Sequence, residues 1–216
     1  MHDGRTQIYK YSPFSFVVDG VNAGLEQFCK SDDCFDLYML FRKINNGFSL
    51  LAKFQRSGSH ELGFDPDKVK NALHVAHALT YMHSFQPVVL HRDLKSRNIL
   101  LDNELNAKLT DFEVMMGKRY DEKADVFSFG VVLSELDLHE LPYAHAVESG
   151  TGRKLPDTVI VHMVSIGRLQ VEFVNPTKSE MAKVGLDCIA LDPTARPTAA
   201  EVLNRVHQIW LRHQQL

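Results

Sequence analysis

Residues 91–101 read His-Arg-Asp-Leu-Lys-Ser-Arg-Asn-Ile-Leu-Leu, a polar cluster followed by an apolar run. Three side chains of this cluster suit the transfer of a phosphoryl group to a hydroxyl. Asp93 can accept the hydroxyl proton, Lys95 can neutralise charge on the transferred group, and Asn98 offers an oxygen to a hard cation. An isolated loop aspartate is usually a turn former, and an isolated lysine is usually a solvated charge. The grouping of all three within six residues instead predicts a loop that performs chemistry.

A second polar motif follows this cluster. Asp111 lies 13 residues after Asn98 and directly after the strand-like run Lys-Leu-Thr. A carboxylate in this place can hold Mg²⁺ that bridges the phosphates of a nucleotide. Two separate motifs therefore predict one pocket for a nucleotide and magnesium.

Hydrophobic periodicity predicts helices over most of the chain around these motifs. Asp65 and Pro66 are typical of an N-cap and a first helical turn, and Thr198 with Glu201 forms a capping box. The segment 124–136 is apolar on nearly every side, so we expect it to be a helix buried at the centre of the domain. The predicted helices cover residues 66–84, 124–136, 157–166 and 179–190 and a last segment from residue 198 onward.

The first quarter of the chain carries strand patterns instead. Residues 14–21 and 35–41 are β-branched and aromatic runs, which are typical of strands. A short apolar-periodic piece follows over residues 48–54. The pattern over residues 88–109 predicts tight loops and small strands.

These motifs together resemble those of a eukaryotic protein kinase domain. Residues 91–101 are similar to the kinase catalytic loop nearly letter for letter, and Asp111 with Phe112 resembles the start of the magnesium-binding Asp-Phe-Gly motif. A lysine two residues after the aspartate, as Lys95 stands to Asp93, is the serine/threonine form. The chain as a whole resembles the tyrosine-kinase-like group of serine/threonine kinases.

Three further blocks extend the resemblance over roughly residues 11–210, and one of them is the helix before the catalytic loop, which ends at residues 79–84. Residues 124–133 are similar to the central buried helix of the large kinase lobe, in which Asp125 would hold the catalytic loop by backbone hydrogen bonds. Residues 188–198 are similar to the closing segment of that lobe, with Arg196 as its structural arginine. The resemblance therefore implies a protein-kinase-like α+β fold, with a mainly helical large lobe and a remnant of the β small lobe.

The resemblance also implies a role for each motif residue. Asp93 would be the base and Lys95 the phosphate-facing cation. Asn98 and Asp111 would bind the cofactor as ligands of Mg²⁺. ATP would be the phosphoryl donor, and protein hydroxyl groups would be the acceptors. Structural roles fall to His91, Arg92, Phe112, Glu113, Asp125 and Arg196.

The small lobe departs from the family pattern. The glycine-rich hairpin, the lysine of the third strand and the glutamate of the C helix are not visible, so ATP binding is expected to be weak. Residues 13–21 resemble the fourth strand and residues 35–47 the fifth strand and hinge, which leaves too few residues before them for three strands and a helix. We therefore expect residues 1–47 to be a remnant of the small lobe and hinge, and residues 48–216 to be the large lobe.

A second departure follows Phe112. Residues 113–120 resemble the sequence after Ala-Pro in the Ala-Pro-Glu motif, so Glu113 aligns with the structural glutamate and the activation segment is missing. Asp111 and Glu113 can be at most about 7 Å apart, whereas in the family the whole activation loop separates them. Either Glu113 keeps its ion pair with Arg196, or Asp111 keeps its place at the metal.

Two functions from different classes follow. The first is a protein serine/threonine kinase domain that transfers the γ-phosphoryl group of ATP in signal transduction. The second is a pseudokinase or degenerate fragment that keeps the scaffold and binds partner proteins. Positioning and charge neutralisation supply nearly all of the catalysis in phosphoryl transfer. A chain without the phosphate-binding groups of the small lobe is therefore expected to have little or no activity. A third explanation is that the missing segments are errors in the assembly of the coding sequence.

Composition excludes several other classes. The 24 basic and 27 acidic residues leave a net charge of −3, which argues against a nucleic-acid partner. No uncharged apolar run approaches the roughly 18 residues that a membrane span requires. The spacing of the three cysteines suits neither a disulfide framework nor a zinc knuckle, so a reducing, cytoplasmic location is expected; they are Cys29, Cys34 and Cys188.

The histidines suggest a zinc site only superficially. His139 and His145 are six residues apart, and Pro142 lies between them. Proline interrupts the helix that a zinc-protease motif requires, so no zinc site is predicted here.

Overall fold

The structure is a computed structural model that describes residues 48–50, 52, 62–110 and 121–215. Within these ranges the chain forms five α-helices, three short strands and two 3₁₀ turns. The helices are α1 (Pro66–His83), α2 (Glu122–Leu138), α3 (Asp157–Ser165), α4 (Glu180–Cys188) and α5 (Ala199–His213). The strands are β1 (Phe48–Ser49), β2 (Ile99–Leu101) and β3 (Ala107–Leu109), and the 3₁₀ turns cover Ser96–Asn98 and Pro193–Ala195.

Side-chain caps set the starts of α1 and α5. The carboxylate of Asp65 accepts a hydrogen bond from the backbone N–H of Lys68 at 2.9 Å. At α5, the N–H of Glu201 donates to Oγ1 of Thr198 at 3.2 Å, and the Glu201 carboxylate accepts from the N–H of Thr198 at 2.7 Å. Both caps satisfy N–H groups that the start of a helix leaves without partners. The predicted helices are confirmed, with boundaries that agree within two residues.

Helix α2 forms the axis of the buried core. Five of its apolar side chains are at most 1% exposed: Val126, Phe129, Val132, Leu133 and Leu136. Phe127 and Val131 are only partly buried because they line a groove beside α3. Gly130 lets α2 approach α4 closely, since a Cβ atom there would lie 2.9 Å from the carbonyl oxygen of Gly185. The central position predicted for this helix is confirmed.

The three strands form one antiparallel sheet in the order β1-β2-β3. Phe48 pairs with Leu101, and Ile99 pairs with Leu109. β1 therefore lies where the sequence shows the start of an apolar-periodic piece. The β2–β3 hairpin confirms the small strands predicted in this part of the chain. It also holds the end of the polar cluster, because β2 begins directly after Asn98.

Several sequence predictions concern other residues. The predicted strands over 14–21 and 35–41, and the small-lobe remnant over 1–47, lie outside the described residues. Of the helices in the described ranges, none combines the length and the apolar character that a membrane crossing requires.

Candidate active site

A buried carboxylate on α2 fixes the start of residues 91–98, here called the polar loop. Asp125 is 1% exposed and accepts hydrogen bonds from the backbone N–H groups of His91 and Arg92, each at 2.8 Å. Its Oδ2 atom also lies 2.9 Å from Nε2 of His83, at the end of α1. The two backbone hydrogen bonds are those that the resemblance implies for Asp125. One carboxylate thus joins α1, α2 and the polar loop.

These hydrogen bonds favour the ionised form of Asp125. Burial by itself raises the pKa of a carboxyl group, because it disfavours the charged form. At Asp125 the hydrogen bonds from the His83 side chain and from two backbone N–H groups outweigh burial, so its pKa lies below the usual value. A buried carboxylate with this many donors makes a rigid anchor.

The backbone turns sharply next to this anchor. The φ angle of Arg92 is 66°, in the left-handed region that costs a non-glycine residue on the order of 1–3 kcal/mol. The N–H of Arg92 is bound by Asp125, and the N–H of Asp93 donates to the carbonyl of His91 at 2.8 Å. Asp125 therefore stabilises a strained turn immediately before the candidate base.

Asp93, Lys95 and Asn98 meet at one carboxylate oxygen. Oδ2 of Asp93 accepts hydrogen bonds from Nζ of Lys95 at 2.5 Å and from Nδ2 of Asn98 at 2.9 Å. Nδ2 of Asn98 also donates to the backbone carbonyl of Asp93 at 2.8 Å. The structure therefore brings together the three side chains of the cluster seen in the sequence.

The geometry leaves two oxygens of this cluster available. The side chains of Asp93 and Lys95 are 47% and 48% exposed, so the Asp93 carboxylate is accessible to a hydroxyl group. Within the described residues both donors to that carboxylate contact Oδ2, which leaves Oδ1 to accept a proton. Nδ2 of Asn98 is used in two hydrogen bonds to Asp93, so the amide oxygen of Asn98 is the atom available to a cation.

The β2–β3 hairpin returns to the polar loop at its far end. The N–H of Thr110 donates to the carbonyl of Asn98 at 2.8 Å, and its hydroxyl donates to the same oxygen at 3.2 Å. Thr110 is the last described residue before the second motif. Asp111, Phe112 and Glu113 lie outside the described residues, so their roles stay predictions.

Arg196, the predicted structural arginine, ties the segment after α4 to the start of α2. Its Nε donates to the carbonyl of Ala190 at 2.7 Å, and its Nη1 donates to the carbonyl of Lys123 at 3.0 Å. The guanidinium carbon lies 4.8 Å from the centre of the Phe127 ring, within cation–π range. The ion pair predicted between Arg196 and Glu113 involves a residue outside the described ranges.

The two histidines weighed for zinc do not share a helix. α2 ends at Leu138, and His139 is its C-cap with a φ of 58°. Across the described ranges, no group of three or more His, Cys, Asp or Glu side chains is placed to hold a metal ion. Asp111, the second ligand predicted for a cation at Asn98, lies outside the described residues.

Sequence patterns miss two supports of the polar loop. The contact of His83 with Asp125 spans 42 residues of sequence. Glu135 accepts a hydrogen bond from Ser96, 39 residues away. The available signal is the presence of two charged residues, Asp125 and Glu135, within the mostly apolar segment 124–136.

Comparison with known proteins relates the chain to protein kinases. The family model described as Protein kinase domain matches residues 25–115 and 113–208. Similar proteins include the probable serine/threonine-protein kinase drkA of Dictyostelium discoideum, 28% identical over 164 residues that cover 65% of this chain and 24% of that protein.

Two plant proteins have a similar sequence identity to this chain. The probable serine/threonine-protein kinase PBL11 of Arabidopsis thaliana is 29% identical over 181 residues, which cover 68% of this chain and 46% of that protein. Wall-associated receptor kinase-like 1 of Arabidopsis thaliana is 31% identical over 176 residues, which cover 66% of this chain and 24% of that protein. The chain thus spans less than half the length of each of these relatives.

Proposed function

This chain belongs to the protein kinase family, and from that premise we propose that it transfers the γ-phosphoryl group of ATP to hydroxyl groups of proteins. Its fold is the protein-kinase-like α+β fold, and two of these relatives are named as probable serine/threonine-protein kinases. Family membership implies the use of ATP and Mg²⁺ in general. The observation that carries the proposal is the convergence of Asp93, Lys95 and Asn98 on a loop held from α2.

In this proposal Asp93 is the base. Its exposed Oδ1 accepts the proton of the substrate hydroxyl, while Oδ2 is held by Lys95 and Asn98. Lys95 places a positive charge where the transferred phosphoryl group gains negative charge. Phosphoryl transfer depends mostly on positioning and electrostatics, so a cluster with fixed mutual distances supports this assignment.

Asn98 and Asp111 are the proposed magnesium ligands. Magnesium, when bound, neutralises charge on the nucleotide phosphates. The amide oxygen of Asn98 suits it because Mg²⁺ prefers oxygen ligands. Asp111 is one peptide bond from Thr110, whose N–H contacts the carbonyl of Asn98, and this connection supports a shared site.

The finer assignment is to the tyrosine-kinase-like serine/threonine group. Lys95 two residues after Asp93 supports the serine/threonine type, and the resemblance of the chain as a whole supports the tyrosine-kinase-like group. We propose that residues 1–47 are the remnant of the small lobe, that residues 48–216 are the large lobe, and that the activation segment is missing after Phe112. The two matched segments of the family pattern meet at residues 113–115, which supports a gap there. The same observation favours the second candidate function, a pseudokinase scaffold that binds partner proteins.

Nucleotide-dependent stabilisation and phosphoryl transfer test the kinase proposal. The 216-residue chain is expected to show a higher Tm with Mg²⁺ and ATP together than with either alone. It is also expected to transfer label from γ-labelled ATP to a general protein substrate. Asp93→Asn should reduce this label by about 100-fold or more, because the base is lost, while the shift in Tm persists.

Glu104→Gln is the matched control, because it neutralises an exposed carboxylate on the nearby hairpin outside the cluster. No response of the wild-type chain to Mg²⁺ and ATP would exclude the kinase function. Stabilisation without labelling would assign the chain as a nucleotide-binding pseudokinase. Sequencing the transcript across the junction of Phe112 and Glu113 and upstream of Met1 tests whether the missing segments are absent from the gene product.

A cytoplasmic location without a nucleic-acid partner completes the proposal. The net charge of −3 means that the chain has no excess of basic residues with which to bind the phosphate backbone of a nucleic acid. Cys188 is a buried free thiol, and burial raises its pKa to about 12, which is typical of an inert core cysteine in a reducing compartment.

A further inference from the structure

A second carboxylate on α2 contacts the polar loop at Ser96. Oε1 of Glu135 accepts a hydrogen bond from the Ser96 hydroxyl at 2.6 Å, and Oε2 accepts one from the Ser96 N–H at 3.3 Å. Glu135 is 3% exposed and Ser96 is 1% exposed. Ser96 begins the 3₁₀ turn Ser96–Asn98, and the side chain of Lys95 before it makes no capping hydrogen bond. Glu135 therefore supplies, from another element, the cap that this turn lacks.

Asp125 and Glu135 hold the polar loop at two points along α2. Ten residues separate them in the sequence, which corresponds to about 15 Å along the helix axis. Asp125 binds the backbone at Arg92, and Glu135 binds it at Ser96. The candidate base Asp93 thus lies between two anchor points on one rigid helix.

Packing does not explain a glutamate in this position. Burial raises the pKa of Glu135 in spite of the hydrogen bonds from Ser96, so the fold is less stable with Glu135 ionised than with Glu135 protonated. Apolar residues fill neighbouring positions of the helix, where Leu133 and Leu136 are 0% and 1% exposed. Buried polar groups that add little stability serve in some proteins to select one geometry.

We propose that Glu135 and Ser96 are positioning residues that hold Asn98, and through it Asp93, in the geometry of the candidate site. Glu135 fixes the first residue of the 3₁₀ turn, and Asn98 is its last. Within the turn, the N–H of Asn98 donates to the carbonyl of Lys95 at 2.9 Å. The side chain of Asn98 then holds Asp93 by two hydrogen bonds. The purpose of this positioning rests on the proposed function. The positioning itself can be measured without a nucleotide.

NMR of the complete 216-residue chain tests this role. The reporters are the side-chain NH₂ resonances of Asn98 and the hydrogen exchange of the backbone amides of residues 96–98. Glu135→Ala and Ser96→Ala should each shift the NH₂ resonances and speed exchange in the turn by about tenfold, while exchange in α1 stays unchanged. The double variant should resemble the single variants, because each of the three removes the hydrogen bond between the Ser96 hydroxyl and Glu135.

Asp137→Asn is the matched control. Asp137 is also a buried carboxylate of α2, 1% exposed, but its hydrogen-bond donor is the N–H of Val174 at 2.6 Å, away from the polar loop. This variant should leave the Asn98 resonances and the exchange of the turn unchanged. An equal effect of Asp137→Asn on the turn would overturn the proposal, because it would show a general loss of stability.

Unchanged Asn98 resonances in both Glu135→Ala and Ser96→Ala would likewise overturn it. If Glu135→Ala does not fold, Ser96→Ala removes only a hydroxyl group and gives the same test. None of these measurements uses ATP. A chain that passes this test but does not respond to Mg²⁺ and ATP would refute the proposed function and leave the positioning role intact.

Discussion

Asp125 and Glu135 lie on the same helix and bind the same loop, yet the protein shifts their pKa values in opposite directions. They are buried to nearly the same extent, 1% and 3% exposed. Burial raises both pKa values, but Asp125 accepts hydrogen bonds from the His83 side chain and two backbone N–H groups, which outweigh it. Glu135 accepts two hydrogen bonds, both from Ser96, and its pKa stays raised. The donors that reach each oxygen, more than the depth of burial, decide the charge state that the fold favours.

The contributions of Asp125 and Glu135 to stability therefore depend on pH in opposite directions. Asp125 has a lowered pKa in the folded state, so its contribution to stability is present above its unfolded pKa of about 4 and is lost as the pH falls below it. Glu135 has a raised pKa in the folded state, so its contribution is present below its unfolded pKa of about 4.3 and is lost as the pH rises through the folded value. At neutral pH the contribution of Asp125 is therefore fully present, and ionisation of Glu135 lowers the stability of the fold relative to its protonated form.

The largest loss of stability is expected when the Asp125 side chain is removed. Asp125→Ala leaves the N–H groups of His91 and Arg92 without their acceptor and frees the strained turn at Arg92. The free energy of unfolding should fall by about 2–5 kcal/mol, measured by urea unfolding at neutral pH. Glu122→Gln, in the first turn of the same helix, should cost less than about 1 kcal/mol. Equal losses in the two variants would contradict the anchor role of Asp125.

A smaller loss is expected when one hydrogen-bond donor to Asp125 is removed, and this variant shows how much that donor lowers the pKa of Asp125. His83→Ala deletes the side-chain hydrogen bond to Asp125, so stability should fall by about 1.5–3 kcal/mol and the pKa of Asp125 should rise towards its usual value. Carboxyl NMR titration follows the pKa, and urea unfolding measures the stability. His207→Ala, at an exposed position on α5, is the control. An unchanged pKa of Asp125 in His83→Ala would show that the backbone donors alone hold it low.

Neutralising the second anchor tests the sign of its shift. Glutamine cannot ionise, so Glu135→Gln should become more stable relative to wild type as the pH rises from 4 to 8. The gain should be about 1.4 kcal/mol for each unit by which the fold raises the pKa. Urea unfolding at several pH values measures it. Asp125→Asn should show the opposite slope, losing stability relative to wild type as the pH rises to about 4. A pH-independent difference for Glu135→Gln would refute the raised pKa.

The smallest effect is expected at the exposed side of the loop. The ion pair of Lys95 with Asp93 is about half exposed on both sides, so Lys95→Ala should change the free energy of unfolding by less than about 1 kcal/mol. Lys183→Ala, at an exposed position of α4, is the control in the same unfolding assay. A loss as large as that of Asp125→Ala would mean that the exposed cluster, and not α2, holds the polar loop.

The helices could be predicted from the sequence because their determinants are local. Asp65 caps a helix that starts at the next residue, and Thr198 with Glu201 completes a box within four residues. The segment 124–136 is apolar on nearly every side, so its side chains can all be buried only at the centre of a core. Each of these signals lies within at most about four turns of one helix, so packing did not need to be known.

The candidate site could be predicted in part for the same reason. Asp93, Lys95 and Asn98 lie within six residues, so a compact loop brings them together. The backbone hydrogen bonds of Asp125 followed from the family resemblance and not from any local pattern. The atoms that meet, and the oxygens left available to a proton or a cation, required the folded loop.

The amino-acid sequence alone determined where the helices run, which loop carries the polar cluster, and to which family that cluster belongs. Only the tertiary structure decided that His83 reaches Asp125 and that Glu135 reaches Ser96, across 42 and 39 residues of chain. Contacts at such separations depend on how α1, α2 and the polar loop pack. The same packing delivers different donors to two carboxylates of one helix, and those donors set the direction of each pKa shift.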